Sequence, residues 1–452
     1  MPSFLDLPLE NVIEMLCRHC TLRDAGRHDG LYAREHRPAY DKADLVALAR
    51  LCLMSKTLNA IATPRLYHRP ATRRSDLLAR TLIERPDLAS HVRCFADHEW
   101  CIQDRGDTPP QLLALHDERA RGLLADERDD GWAWLRSEIE EKTVSETLIT
   151  AVLVSLCPNL EDIYAVSHYR PVCILSQPNS LLRLKMLVTY HGDTKSGMPF
   201  GHLKALSTAA PNLKTIICHE LAEQGGSPRA PFVFDHVTGL CLVNSVLNAE
   251  SLAAVLVACP RLETFAYIGG NSKVASYSLT GNEAQRVILQ YAPTLKNLHI
   301  DLHQIFSASV ELAEPDMIHS LADMERLEHL TLDSRCLLTH TNPFTSRFRI
   351  RPGPVGEPIL GGPFLDPEDT RLVTMLPPSL RSLRLQKGAK GPDLRRLIDC
   401  VKVMANNGPQ SFPNLENVQL LNLGNTDTSA IEETFRGNGV AFSSIRLRLV
   451  HG

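Results

Sequence analysis

The chain has 452 residues, room for two or three domains, and its 44% hydrophobic and 22% charged composition is that of an ordinary folded protein. Its 48 Lys and Arg against 52 Asp and Glu give a net charge of -4, without the basic imprint of a nucleic-acid-binding chain. No apolar run reaches the roughly 18 residues of a membrane helix, and Met1-Pro2-Ser3-Phe4-Leu5-Asp6 is unlike a secretory signal, so neither a nucleic-acid nor a membrane partner is expected.

In chain order, Leu7-Pro8-Leu9-Glu10 opens a predicted helix with Val12, Ile13 and Leu16 on one face. Residues 21–43 are polar and rich in charge and His. A second predicted helix carries Leu45, Leu48, Leu51, Cys52, Met54 and Leu58. Ala62-Thr63-Pro64 is its predicted stop, because proline removes a helical donor. Such helices are too short to persist alone and need tertiary or partner contacts.

This text resembles the F-box, especially its fungal forms. The sharpest parts of the likeness are Leu7-Pro8 and Leu53-Met54-Ser55-Lys56, with Asp44 to Asn59 and Ala62-Thr63-Pro64-Arg65-Leu66-Tyr67 around them. The linker between the helices is longer than usual, and Met54 and Leu58 stand where Val and an aromatic are common. The resemblance implies a three-helix head over residues 1–70 that docks on the Skp-type adaptor of a cullin-based ubiquitin ligase. It assigns the docking face, or its support, to Leu7, Pro8, Leu9, Ile13, Leu16, Leu48, Cys52, Leu53 and Ser55.

Residues 71–142 read as a capping segment and an acidic insertion. The text from Leu77 to Leu88 reads as a helix ended by Pro86, and His91-Val92-Arg93-Cys94-Phe95 suits a first repeat that closes an open core. Asp126-Glu127-Arg128-Asp129-Asp130 reads as a solvated insertion.

From residue 143 to 452 a phrase recurs. Cys157-Pro158-Asn159-Leu160, Ala210-Pro211-Asn212-Leu213, Cys259-Pro260-Arg261-Leu262, Ala292-Pro293-Thr294-Leu295 and Phe412-Pro413-Asn414-Leu415 are its copies, with Pro377-Pro378-Ser379-Leu380 looser. Each anchor Leu is followed by apolar residues three and five positions on, as in Leu295-Leu298-Ile300. Val237-Leu240-Leu242, Leu327-Leu330-Leu332, Phe442-Ile445-Leu447 and the poorer Leu184-Leu187-Thr189 keep the pattern without the proline. At 44% apolar content, chance alone supplies roughly 38 such triplets, so the proline phrase carries the signal. Predicted helices at 144–156, 251–258, 283–291, 316–324 and 394–405 fall between anchors. The expected fold is therefore α/β, an irregular leucine-rich-repeat solenoid after the helical head, and the plainer alternative is an ordinary domain of short βα units.

A Pro/Gly-rich insertion at about 339–369 separates Leu327 from Leu380, with Arg347, Arg349 and Arg351 alternating through its first part. Insertions in repeats gather on one face, often the binding face. Substrate contacts are expected at positions beside the strand apolars, with Glu263, Asn297, Glu328 and Arg384 as candidates.

No chemistry stands out. Cys17-Arg18-His19-Cys20 lacks a second pair at zinc spacing, so no metal is assigned, and no cofactor motif is present. The 12 Cys lie in apolar segments, as small buried hydrophobes of a reducing compartment do, so a cytoplasmic or nuclear location is expected. The chain reads as a non-enzymatic substrate receptor of a cullin ligase with an unknown protein substrate. The rivals are a repeat scaffold unconnected to ubiquitin and, further off, a hydrolase with a buried Cys nucleophile.

Overall fold

The computed structural model describes residues 42–70, 75–96, 146–167, 179–191, 197–222, 232–270, 279–302, 317–337, 370–386, 394–421 and 427–445. Expectations placed on 1–41, 97–145 and 338–369 lie outside them. The chain divides into two units, Met1–Gln224 with Arg229–Val237, and Gly225–Pro228 with Thr238–Gly452.

The first unit opens with helices α1 (Lys42–Met54), α2 (Lys56–His68), α3 (Ser75–Glu84) and the short α4 (Pro86–Ala89). Strand β1 (Cys94–Ala96), helix α5 (Glu146–Leu156), and strands β2 (Asp162–Ser167) and β3 (Met186–His191) follow. A 3-10 turn over Phe200–Leu203 runs into α6 (Lys204–Ala209), and β4 (Thr215–His219) closes the series. All four strands are parallel and paired in chain order, and Phe95, Ile163, Leu187 and Ile216 stand opposite one another. The expected first repeat at Val92-Arg93-Cys94-Phe95 is thus a strand of the ladder.

The second unit repeats this arrangement. It carries β5 (Gly239–Ser245), α7 (Ala249–Val257), β6 (Thr264–Gly269), α8 (Gly281–Tyr291), β7 (Asn297–Asp301) and β8 (His329–Asp333). After these come α9 (Arg371–Met375), β9 (Ser382–Gln386), α10 (Leu394–Ser411), β10 (Asn417–Leu421), α11 (Ser429–Gly437) and β11 (Ala441–Ile445). Its seven strands are also parallel and in chain order, with Leu240, Phe265, Leu298, Leu330, Leu383, Val418 and Phe442 in one row. The fold is α/β, as expected. Helices pack against one another along each unit, α3 with α5, α7 with α8, and α10 with both α9 and α11.

Sequence explains the register. The anchor positions Leu160, Leu184, Leu213, Leu262, Leu295, Leu327 and Leu380 are all buried. So are the residues three and five further on, from Ile163 and Ala165 to Val418 and Leu420. Withdrawing each large apolar side chain contributes about 1.5–3 kcal/mol, and a slip of one residue would turn all of them outward. Helices start where caps permit. The Asn248 side chain accepts from Ser251 N before α7, and Thr280 with Glu283 forms a reciprocal capping box before α8.

Three expectations need correction. The helical text of the head does not stop at Pro64. It breaks at Ser55, whose hydroxyl accepts from Leu58 N at 3.2 Å and starts a new helix that runs through Pro64 to His68. The carbonyl that loses its donor belongs to Ala60, an exposed residue, so the lost bond leaves no buried acceptor. The helix expected at 316–324 is absent from 317–324, which forms turns. There Leu321 N, which a helix would pair with Met317 O, donates instead to the distant carbonyl of Met375 at 2.7 Å, and Ile318 N donates to that of Cys336 at 2.8 Å. The last repeat is three residues out. Phe442 pairs with Val418 in the second row, and Ile445 is exposed rather than buried. Phe442 is drawn in by Phe435, whose ring stacks on it at 5.5 Å.

Candidate partner-binding surfaces

Helices α1 and α2 pack together around Leu48 and Ala62, with Leu51, Cys52, Leu58, Ile61 and Leu66 against them. Leu48, Leu51 and Cys52 share a helical face at spacings of three and four, which is why that face turns inward. The break at Ser55 is tied by Asn59 Nδ2 donating to the Cys52 carbonyl at 2.9 Å and by Thr63 Oγ1 donating to Asn59 Oδ1 at 3.3 Å. On the opposite face Val46, Leu53 and Met54 are 41%, 87% and 70% exposed. They make up three of the large apolar side chains that face water among the described residues.

The residues assigned to adaptor docking therefore separate. Leu53 lies on the exposed apolar stripe. Leu48 is a core residue of the helix pair, Cys52 is half-buried beside it, and exposed Ser55 serves as the cap of α2. Leu7, Pro8, Leu9, Ile13 and Leu16 lie outside the described residues.

The four substrate candidates also separate, into three columns. Glu263 and Glu328 follow their anchor Leu directly, ahead of the strands. There they join a ladder of alternating charge, Glu263 with Lys296 at 3.1 Å, and Glu328 with Arg381 at 3.5 Å, which also meets Glu416 at 3.3 Å. The first unit has the same rung in Lys185 and Glu161 at 2.8 Å, and Lys185 holds the Glu161 carboxyl below its ordinary range. Asn297 stands at the first strand position and donates to Thr264 Oγ1 at 3.0 Å, while Arg384, in mid-strand, donates to Gln419 Oε1 at 2.9 Å. Each candidate is engaged laterally with the neighbouring repeat.

The strand face opposite the anchor columns is less open than the pattern suggests. Val188 and Ile217 in the first unit, and Cys241, Val243, Ala266 and Ile268 in the second, are buried. Runs such as Thr215-Ile216-Ile217-Cys218 and Gly239-Leu240-Cys241-Leu242-Val243 carry that signal in the sequence, since parallel strands covered on both faces are continuously apolar. From β7 onward the same face turns polar, with His299, Asp301, Asp333 and Gln386 buried, and Gln386 Nε2 donates to Asp301 Oδ2 at 3.3 Å. Burial pushes His299 down to about 4, with Asp301 opposing and the charge of Arg384 reinforcing the shift.

The proline phrase has a role that the sequence did not disclose. Asn159 Nδ2 donates to the Ser90 carbonyl (2.8 Å), Asn212 Nδ2 to that of Leu182 (2.9 Å), and Asn414 Nδ2 to that of Pro378 (3.3 Å). Thr294 and Ser379 do the same with hydroxyls, reaching Leu262 O (2.7 Å) and Leu327 O (2.8 Å). In each case the residue before the anchor pins its turn to the preceding repeat.

Four buried thiols are held in the protonated form, which is a poor nucleophile. Burial pushes Cys94, Cys157 and Cys218 up to about 12, and Cys336 also rises. Among the described residues no cluster has metal-ligating spacing, and no helix is long and apolar enough to cross a membrane. A scan against protein-family models gives no match, and a search of curated proteins gives none.

Proposed function

We propose that the chain is the substrate-recognition subunit of a cullin-based, SCF-type ubiquitin ligase, an F-box-like head followed by a leucine-rich-repeat solenoid. The observation that carries the docking role is the Val46, Leu53 and Met54 stripe, left in water on a helix pair whose other apolar residues pack around Leu48 and Ala62. An exposed apolar stripe on a short amphipathic helix suits a partner that completes it. The repeat reading is supported by parallel strands in chain order within each unit, each continuing the same buried rows, a nearest-neighbour arrangement typical of repeat proteins. The chain would act by proximity, raising the effective concentration of a bound protein near the transfer enzyme without chemistry of its own.

The test is co-purification of the full chain with a Skp-type adaptor. Capture by the wild type, lost with Leu53→Asp and separately with Leu7→Asp plus Pro8→Ala, supports the receptor. The burial of Leu48 inside the helix pair favours a second reading, a repeat scaffold whose head merely caps the ladder. Absent capture, or capture indifferent to those substitutions, selects the scaffold.

A further inference from the structure

Arg69 ends α2 with a non-helical backbone, φ -144° and ψ 84°. Its guanidinium carbon lies 5.7 Å from the centre of the Tyr164 ring on β2, and the residue is only 7% exposed. An arginine withdrawn this far from water needs compensation. The ring face supplies part of it. The field of Asp162 supplies more, since Arg69 lies close enough to oppose the upward shift that burial imposes on that carboxyl.

One residue earlier, the His68 carbonyl accepts a hydrogen bond from Arg93 N at 2.9 Å. Arg93 then offers its own carbonyl to Glu161 N (2.6 Å) and Asp162 N (3.1 Å). Glu161 O accepts in turn from Lys185 N and Met186 N, and Lys185 O from Lys214 N and Thr215 N. The last carbonyl of α2 is therefore the first member of the hydrogen-bond series that runs through every repeat of the first unit. Two segments of a chain joined by a linker move independently by default. Here the helix end is part of the ladder.

We infer that Arg69 and His68 form a latch that makes the α1–α2 pair a rigid extension of the strand ladder, with the Arg69 guanidinium clamped on Tyr164. This holds whether or not the pair binds a ligase adaptor. If it does, the latch fixes the direction in which the repeats project from the adaptor.

The test places spin labels, carried on unnatural residues, at Arg50 and Arg183 of the full chain, both exposed. The wild type gives one narrow distance distribution. Arg69→Met, which keeps the stem and removes the charge, at least doubles its width, as does Tyr164→Leu. Tyr164→Phe, which keeps the ring, stays narrow. Circular dichroism of each variant at the wild-type level separates a loosened joint from an unfolded one, and if Arg69→Met does not fold, the two Tyr164 variants decide. A broad distribution in the wild type, widths unchanged by Arg69→Met or Tyr164→Leu, or equal widths for Tyr164→Phe and Tyr164→Leu, overturns the latch.

Discussion

Gly270 lies directly against the backbone of Asn244, so close that a β-carbon on Gly270 would collide with the Asn244 carbonyl. Asn244 is the extra residue of a bulge between Val243 and Ser245, in a left-handed conformation at φ 50°. The bulge is fastened from the other side, where Gly270 N donates to Ser245 O at 3.0 Å. The obstacle is backbone in a buried ladder, which cannot swing aside as a side chain would. Gly270→Ala is expected to destabilise the second unit by about 2 kcal/mol or more, read as a lower denaturant midpoint.

Tyr267 reaches the same bulge. Its hydroxyl donates to Ser245 O at 3.0 Å and accepts from Leu247 N at 3.3 Å, all of it buried. Tyr267→Phe keeps the ring but takes the acceptor from Leu247 N, while Ser245 O keeps its bond from Gly270 N. Losing the hydroxyl should cost about 1–3 kcal/mol, measurable by the same denaturation, with little change in circular dichroism.

Asn159 tests the pinning of repeats. Asn159→Ala removes its bond to Ser90 O in a half-buried setting and should cost about 1 kcal/mol. Asn414→Ala, where the bond is longer and exposed, should cost less. Equal losses would count against a direct role for the bond.

His299 predicts a pH dependence. Its pKa falls from 6.5 to about 4 in the folded chain. The unfolded chain then takes up a proton near 6.5 that the folded one refuses until about 4. Stability contributed by this group is complete above the unfolded value, declines as pH falls between the two, and is flat below. The decline amounts to about 3 kcal/mol. His299→Gln should flatten that part of the profile, measured as unfolding midpoints at neutral and acid pH.

The buried rows were readable in the sequence because an anchor with apolar residues three and five positions on can face one core in only one way. Phe442 shows where that fails. With Phe442 as the middle member the triplet is Gly439-Phe442-Ser444, which is not apolar, so the pattern points to the wrong register, and only the pairing with Val418 and the stack on Phe435 reveal the right one. The helix expected before Leu327 failed for another cause. Its residues are apolar at suitable spacing, but the bonds of Ile318 and Leu321 run to chain positions far away, which no local pattern reveals. For the candidate surfaces, amphipathicity located the helix pair, whereas the division of its residues into buried Leu48 and exposed Leu53 depends on where the second helix begins. Ser55 sets that point, and a lone serine is an easily missed start signal. The lateral bonds of Glu263, Asn297, Glu328 and Arg384 depend on which residue the next repeat presents, which a single repeat does not encode.

Because every strand in the second unit pairs with its neighbour in the chain, the lengths of the connections matter little to the thermodynamics of closure. Leu295 and Leu327 are 32 residues apart, while Leu327 and Leu380 are 53 apart, yet their strands meet in the same register. Closure entropy grows only with the logarithm of length, so the longer excursion costs about 0.5 kcal/mol more. Such a chain can acquire or shed surface segments between strands with almost no penalty to its fold, leaving those segments free to diverge while the ladder stays fixed.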